Sequence, residues 1–154
     1  MSGSDQEELE RLYREQGDRM WRSVLAFAGD PEVAKDAVAE AFAQALRRGD
    51  ELRDPERWLW RAAFRIAAGE LKERGRQAAV VPEGSYEMEE PARELMEALR
   101  KLSGKQRAAV VLHHAGGYSV RDVATIIGST SAAVRVHLMR ARRRLRELLE
   151  DDDA

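Results

Sequence analysis

The stretch Val120-Arg-Asp-Val-Ala-Thr-Ile-Ile-Gly-Ser-Thr-Ser-Ala-Ala-Val-Arg-Val-His-Leu138 decides how the chain is read. Small Ala124 stands four residues before Gly128, with Val123, Ile127, Val134 and Leu138 as the apolar positions around them. Two helices that cross steeply through a tight turn need a small side chain where they approach and a glycine able to take positive φ. The pattern therefore predicts a helix-turn-helix. Its second helix carries Thr130, Ser131, Arg135, His137 and Arg140 on the exposed side, donors suited to phosphates and to base edges in a major groove. The run Arg140-Ala-Arg-Arg-Arg144 adds Arg142, Arg143 and Arg144 to the candidate DNA contacts.

Overall composition hides this basic segment. The 154 residues carry a net charge of −2, yet residues 103–149 hold nine Lys/Arg against two Asp/Glu. Residues 81–102 have three bases against six acids, and residues 150–154 have four acids and no base. A basic module masked by acidic flanks points to a polyanionic partner. Hydrophobic residues at 44% and charged residues at 35% fit a soluble globular protein and exclude a fibre or a disordered tail. Apolar runs such as Ala108–Leu112 are far shorter than the roughly 20 residues of a membrane-spanning helix. The start Met-Ser-Gly-Ser-Asp-Gln-Glu-Glu has neither a basic region nor an apolar core, so no secretory signal and a cytoplasmic location are expected.

Catalytic and metal signals are weak. There is no cysteine, hence no disulfide framework and no thiolate ligand. His113 and His114 are neighbours that a helix points about 100° apart, and no carboxylate accompanies them at ligand spacing. Neither a glycine-rich phosphate loop nor a nucleophile elbow is present. No enzyme, metal or cofactor is expected.

Upstream, helical periodicity continues. Leu9, Leu12, Tyr13, Gln16, Met20 and Val24 share one helix face, interrupted by Gly17 and closed by Gly29. Asp30-Pro31 supplies an N-cap and a first-turn proline for a helix with Ala34, Val38, Ala41, Phe42 and Ala45, ending at Gly49. Asp54-Pro55 repeats the signal for a third helix with Leu59, Ala62, Ala63, Ile66 and Ala67, running toward Gly75. Pro82, Gly84, Pro91 and four glutamates then read as an acidic linker. Beyond it, Pro91 starts a helix with Leu95, Leu99 and Leu102, and Ser103-Gly-Lys-Gln106 is a capping-box pattern for the next, ending at Gly116-Gly117. Ser119 opens another, and the last runs from about Thr130 to Leu149. The expected fold is all-α: two small helical domains, 1–75 and 92–149, joined by the linker 76–91 and followed by an acidic tail, 150–154.

This order of parts resembles an extracytoplasmic-function (ECF) sigma factor, the two-domain class of bacterial RNA polymerase initiation subunit, and its Ala/Arg-rich usage resembles actinobacterial members. Ala34-Lys-Asp-Ala-Val-Ala-Glu-Ala-Phe-Ala-Gln-Ala-Leu46 is similar to the polymerase-binding helix, and Trp58-Leu-Trp-Arg-Ala-Ala-Phe-Arg-Ile-Ala67 to the promoter-melting helix. Leu102-Ser-Gly-Lys-Gln-Arg-Ala-Ala-Val-Val-Leu112, Gly117–Ala124 and Ala133–Arg142 are similar to the upstream-element domain. The resemblance implies a region 2-like domain that binds polymerase through Asp36, Glu40, Gln44 and Arg47. It implies downstream-element contacts from Asp50, Arg53, Trp60, Arg61, Arg65 and Lys72, with Trp58 in the core and Trp60 meeting unstacked bases. A region 4-like domain would read the upstream element. Core RNA polymerase (clamp and flap), promoter DNA and an anti-sigma factor are the implied partners, and the free chain is expected to be a monomer. The family's usual glutamine is Ala39 here, and its Asn and Asp in the third helix are Arg65 and Gly69. These departures leave open a sigma-like decoy or adaptor; a stand-alone helix-turn-helix regulator is a second alternative, one that leaves residues 8–75 unexplained.

Overall fold

The computed structural model describes residues 3–76 and 90–150. The chain divides into two compact units, Met1–Pro82 and Glu83–Ala154. The stretch expected to form the acidic linker falls largely on 77–89, outside the described residues, as does the tail beyond Glu150. No strand occurs among the described residues, and none of their helices is long and apolar enough to cross a membrane.

The first unit is built from α1 (Gly3–Ala28), α2 (Pro31–Arg48), a 3-10 turn (Gly49–Glu51) and α3 (Pro55–Arg76). All three helices pack on one another. Ala34, Ala37, Ala41 and Ala45 of α2 are wholly buried, which brings the α2 backbone close to both neighbours, while Met20, Val24, Leu59, Trp60 and Phe64 fill the space around them. Helix α2 begins as its sequence dictates. The buried Asp30 carboxylate accepts from the Glu32 and Val33 amides at 2.9 and 3.4 Å, satisfying orphan donors ahead of the Pro31 turn. Arg74 of α3 pairs with the same carboxylate, tying the end of α3 to the start of α2. Asp54 caps α3 through the Arg57 amide at 3.2 Å.

Two readings of the first helix are corrected. Gly17 does not interrupt α1, which continues unbroken from Gly3 to Ala28. Tyr13 does not join the buried stripe: it is 59% exposed, its ring edge-on to Phe42 with centroids 5.2 Å apart.

The second unit contains α4 (Glu90–Arg100), α5 (Gly104–Val110), a π-helical turn (Val111–Ala115), α6 (Val120–Ile127) and α7 (Ser131–Glu150). Ser103 and Gln106 form the full capping box: the Gln106 amide donates to Ser103 Oγ at 3.2 Å and the Ser103 amide to Gln106 Oε1 at 3.4 Å. Ser119 Oγ caps α6 by accepting from the Asp122 amide at 3.1 Å. Helix α6 ends at Gly128 in the left-handed region, φ 68° and ψ 45°, and the Ser129 amide returns to the Ala124 carbonyl at 2.8 Å. Leu99, Leu102, Ala109, Leu112, Val123, Ala124, Ile126, Val134, Leu138 and Ala141 make the core. Leu95, placed in the α4 stripe by periodicity, is exposed.

Candidate functional site

Helix α7 follows the Gly128 turn and packs against α4, α5 and α6 through Val134, Leu138 and Ala141. That buried row fixes its rotation, so Arg135, Arg140, Arg142, Arg143 and Arg144 all stand exposed. Thr130 is also exposed, but its hydroxyl oxygen accepts from the Ala133 amide at 3.1 Å and so serves first as the helix cap. Ser131 and His137 are half-buried at the flanks.

The arginine run is not one surface. Arg142 donates from Nε and Nη2 to His114 Nε2, 3.3 Å in each case. Burial first, then the charge of Arg142 and the neighbouring His113, hold the His114 imidazole below its usual pKa, and the arginine, which can only donate, makes Nε2 the acceptor. His113 turns the other way: its Nδ1 donates to the Tyr118 carbonyl at 2.7 Å, closing the segment that leads to α6. Arg140, Arg143 and Arg144 instead line a depression with Lys101, Gln106 and Glu147, where Arg144 pairs with Glu147 at 3.5 Å. No group of acidic and histidine side chains among the described residues is arranged to hold a metal.

In the first unit the tryptophan assignment is reversed. Trp60 has no exposed surface, its Nε1 donates to Gln16 Oε1 at 3.1 Å, and its ring stacks with Phe64 at 6.3 Å. Arg19 covers the ring at 5.4 Å from its centroid. Trp60 is therefore a core residue and is withdrawn as a base contact. Half-buried Trp58 lines a groove with Gln44, Arg48, Arg61, Ala62, Arg65 and Ile66, and the Arg48 guanidinium lies 5.5 Å from its ring centroid. Three arginines and no carboxylate surround this indole face. Arg48 and Trp58 were missed by sequence reading, although the basic last turn of α2 and the Asp54 cap place them side by side. Arg61 and Arg65, expected beside Trp60, line this groove with Trp58 instead. Asp50 and Arg53 lie exposed in the turn before α3, and Lys72 is exposed about two helical turns beyond Arg65, outside the groove lining.

The outward face of α2 carries exposed Asp36, Glu40 and Arg47 with half-buried Gln44. Glu40 Oε1 accepts from Gln44 Nε2 and pairs with Arg47 Nη2, both at 3.1 Å. The Gln44 hydrogen bond, followed by that from Arg47, lowers the Glu40 pKa and keeps its carboxylate charged. Ala39, the departure from the family pattern, is exposed on the same helix.

A three-helix unit with an arginine-lined indole groove and a second unit carrying a helix-turn-helix define a helical DNA-binding protein. Residues 92–145 match the family described as Sigma-70, region 4. Over 157 residues the chain is 31% identical to an RNA polymerase sigma-E factor of Streptomyces antibioticus, covering 95% of this chain and 87% of that protein. It is 28% identical to the ECF RNA polymerase sigma factor BldN of Streptomyces coelicolor, covering 92% of this chain and 60% of that longer protein. Among solved structures, the fold is shared with the sigma factor RpoE of Bartonella quintana, crystallised with the anti-sigma factor NepR, at a TM-score of 0.78 and 22% identity over 93% of this chain and 97% of that one. The chain belongs to the ECF RNA polymerase sigma factors, which direct RNA polymerase to promoters for transcription initiation.

Proposed function

We propose that the two units divide promoter recognition between them, with no catalytic chemistry of the chain's own. Residues 1–75 bind the polymerase clamp through the Asp36, Glu40, Gln44 and Arg47 face and capture melted downstream bases at the Trp58 groove, with Asp50 and Arg53 at its approach. Residues 92–149 face the flap and read the upstream element, with Arg135 nearest the groove-entering end of α7 and Arg140, Arg142, Arg143 and Arg144 on phosphates. The acidic segment 76–91 threads the polymerase cleft, where its charge imitates nucleic acid. The protein works in the cytoplasm, and an anti-sigma factor is a further partner, as RpoE of Bartonella quintana was crystallised in complex with NepR.

The observation that carries this reading is the left-handed Gly128 turn over buried Ala124, delivering a helix that exposes Arg135, Arg140, Arg142, Arg143, Arg144 and Arg146 with no acidic residue before Glu147. Run-off transcription with core RNA polymerase tests it: a promoter-length transcript is expected with the chain and none without it. Reversal of Asp36 and Glu40 together to lysine is expected to abolish holoenzyme formation with little change in melting temperature, because exposed charges contribute little to folding. Undiminished polymerase binding by that variant removes the α2 face from the reading.

A further inference from the structure

Few large apolar side chains stand exposed among the described residues, and two of them lie on α7: Val136 at 39% and Met139 at 52%. With exposed Ala132 they are spaced i, i+4 and i+7, so all three fall on one row of the helix. At 100° per residue that row is directly opposite the buried Val134, Leu138 and Ala141. The row points straight away from the second unit's core, so packing within that unit does not account for it. Arg135 flanks it on one side, Arg140 on the other, and Arg143 continues it toward the C-terminus. From Ser131 to Arg146 the helix contains no acidic residue at all.

This combination restricts what can cover the row. The surrounding arginines select a polyanion, and the row itself offers no donor or acceptor. On the major-groove edge of DNA, the apolar group that projects for contact is the thymine C5 methyl, and the remaining readout is by polar donors and acceptors. We propose that Ala132, Val136 and Met139 read thymine methyl groups in the upstream element, so that specificity at these positions comes from apolar contact, with Arg135 supplying the polar readout beside it. The proposal rests on α7 being the recognition helix, and it adds the base that the helix prefers.

Holoenzyme assembled from the full chain and core RNA polymerase is used to select an upstream element from randomised promoters. Each thymine of the selected element is then replaced singly by deoxyuridine, which removes the methyl group and leaves the base pair intact. At one or two adjacent A·T pairs the replacement is expected to weaken binding roughly fourfold, the value for one buried methyl-sized group. V136A is expected to bring the thymine-to-uracil ratio close to one at one of those pairs. Alanine is favourable in an exposed helix, so this variant keeps its fold. A selected element that is insensitive to every thymine replacement, or a ratio unchanged in both V136A and M139A, overturns the inference alone. Weakened core-polymerase association in V136A, with the thymine-to-uracil ratio unchanged in the holoenzyme that still forms, assigns the row to a protein partner and also overturns it. Failure to select any upstream element overturns the recognition-helix reading, and this inference with it.

Discussion

The two candidate DNA surfaces use the same cation and differ in its companion. Around Trp58, three arginines frame an aromatic face. Along α7, arginines frame an aliphatic row. Arginine gives both surfaces affinity for phosphate, which is independent of sequence and sensitive to salt. The companion decides which state of DNA fits. An indole face gains most from a base that has left its stack, since any base presents a π-face. A row of small and flexible aliphatic side chains gains from methyl groups that project from an intact duplex. On the proposed reading, one unit meets opened DNA and the other closed DNA.

The largest effect that can break this comparison lies in the tryptophan pair. Trp60→Ala removes a fully buried indole and leaves Gln16 without its donor, and is expected to cost about 3–5 kcal/mol in urea unfolding. Trp58→Ala removes a half-buried ring held by Arg48 and is expected to cost the fold only about 1 kcal/mol. Its effect on function should be the greater, a loss of roughly 1–3 kcal/mol in holoenzyme binding to a single-stranded downstream strand. If Trp58→Ala holoenzyme holds that strand as tightly as the parent, the groove does not meet opened bases and the contrast between the two units fails.

Within α7 the comparison sharpens at Arg135 and Arg143. Arg135 lies near the helix N-terminus, where a recognition helix enters the groove, and Arg135→Ala is expected to cost about 1–3 kcal/mol and relax preference at one base pair. Arg143→Ala is expected to weaken all sequences about equally and reduce the salt slope by roughly one unit. Binding-site selection on both variants distinguishes the roles. A motif unchanged by Arg135→Ala and altered by Arg143→Ala would mean that α7 lies in the groove with a different rotation.

Short-range chemistry was the legible part of this molecule. The Asp30-Pro31 and Asp54-Pro55 starts, the Ser103–Gln106 box and the Ala124–Gly128 turn each depend on residues within four or five positions, and each stands in the structure as spacing implies. The exposed face of α2 followed from the same periodicity. What could not be read was set by partners distant in sequence. Trp58 and Trp60 lie two apart and must diverge, but the buried one is recognised only by partners distant in sequence, among them Gln16, 44 residues from Trp60. Likewise, the division of the arginine run depends on His114, 28 residues from Arg142, brought there by a π-helical turn that no periodicity announced. Val136 and Met139 were within reach, because the buried spacing of Val134, Leu138 and Ala141 already excludes them from the core.

The smallest effect concerns pH, where the two units are expected to respond with opposite sign at one residue each. Glu70 of α3 has its pKa raised by burial first and then by the Asp36 charge, with Arg74 acting against them and Asp30 adding to the rise. The folded state therefore holds this proton at a pH where the unfolded chain has released it. Stability from Glu70 is greatest when the carboxyl is protonated and falls as pH rises from the unfolded value, about 4.5, through the raised folded one. For His114 the lowered pKa reverses the sign: the folded state resists the proton, and stability falls as pH drops below about 6.5. Glu70→Gln removes the first penalty. At pH 7 it is expected to raise the melting temperature of the first unit by about 1–2 °C, a fraction of the shift for a full kcal/mol because solvent screens a side chain that is still partly exposed. The gain should vanish below about pH 4, where parent and variant are both neutral at this position. Scanning calorimetry of the two proteins at pH 4 and pH 7 reads the difference directly. An equal gain at both values would trace the effect to the amide's packing, and a loss at pH 7 would mean that Arg74 outweighs burial and Asp36 at Glu70.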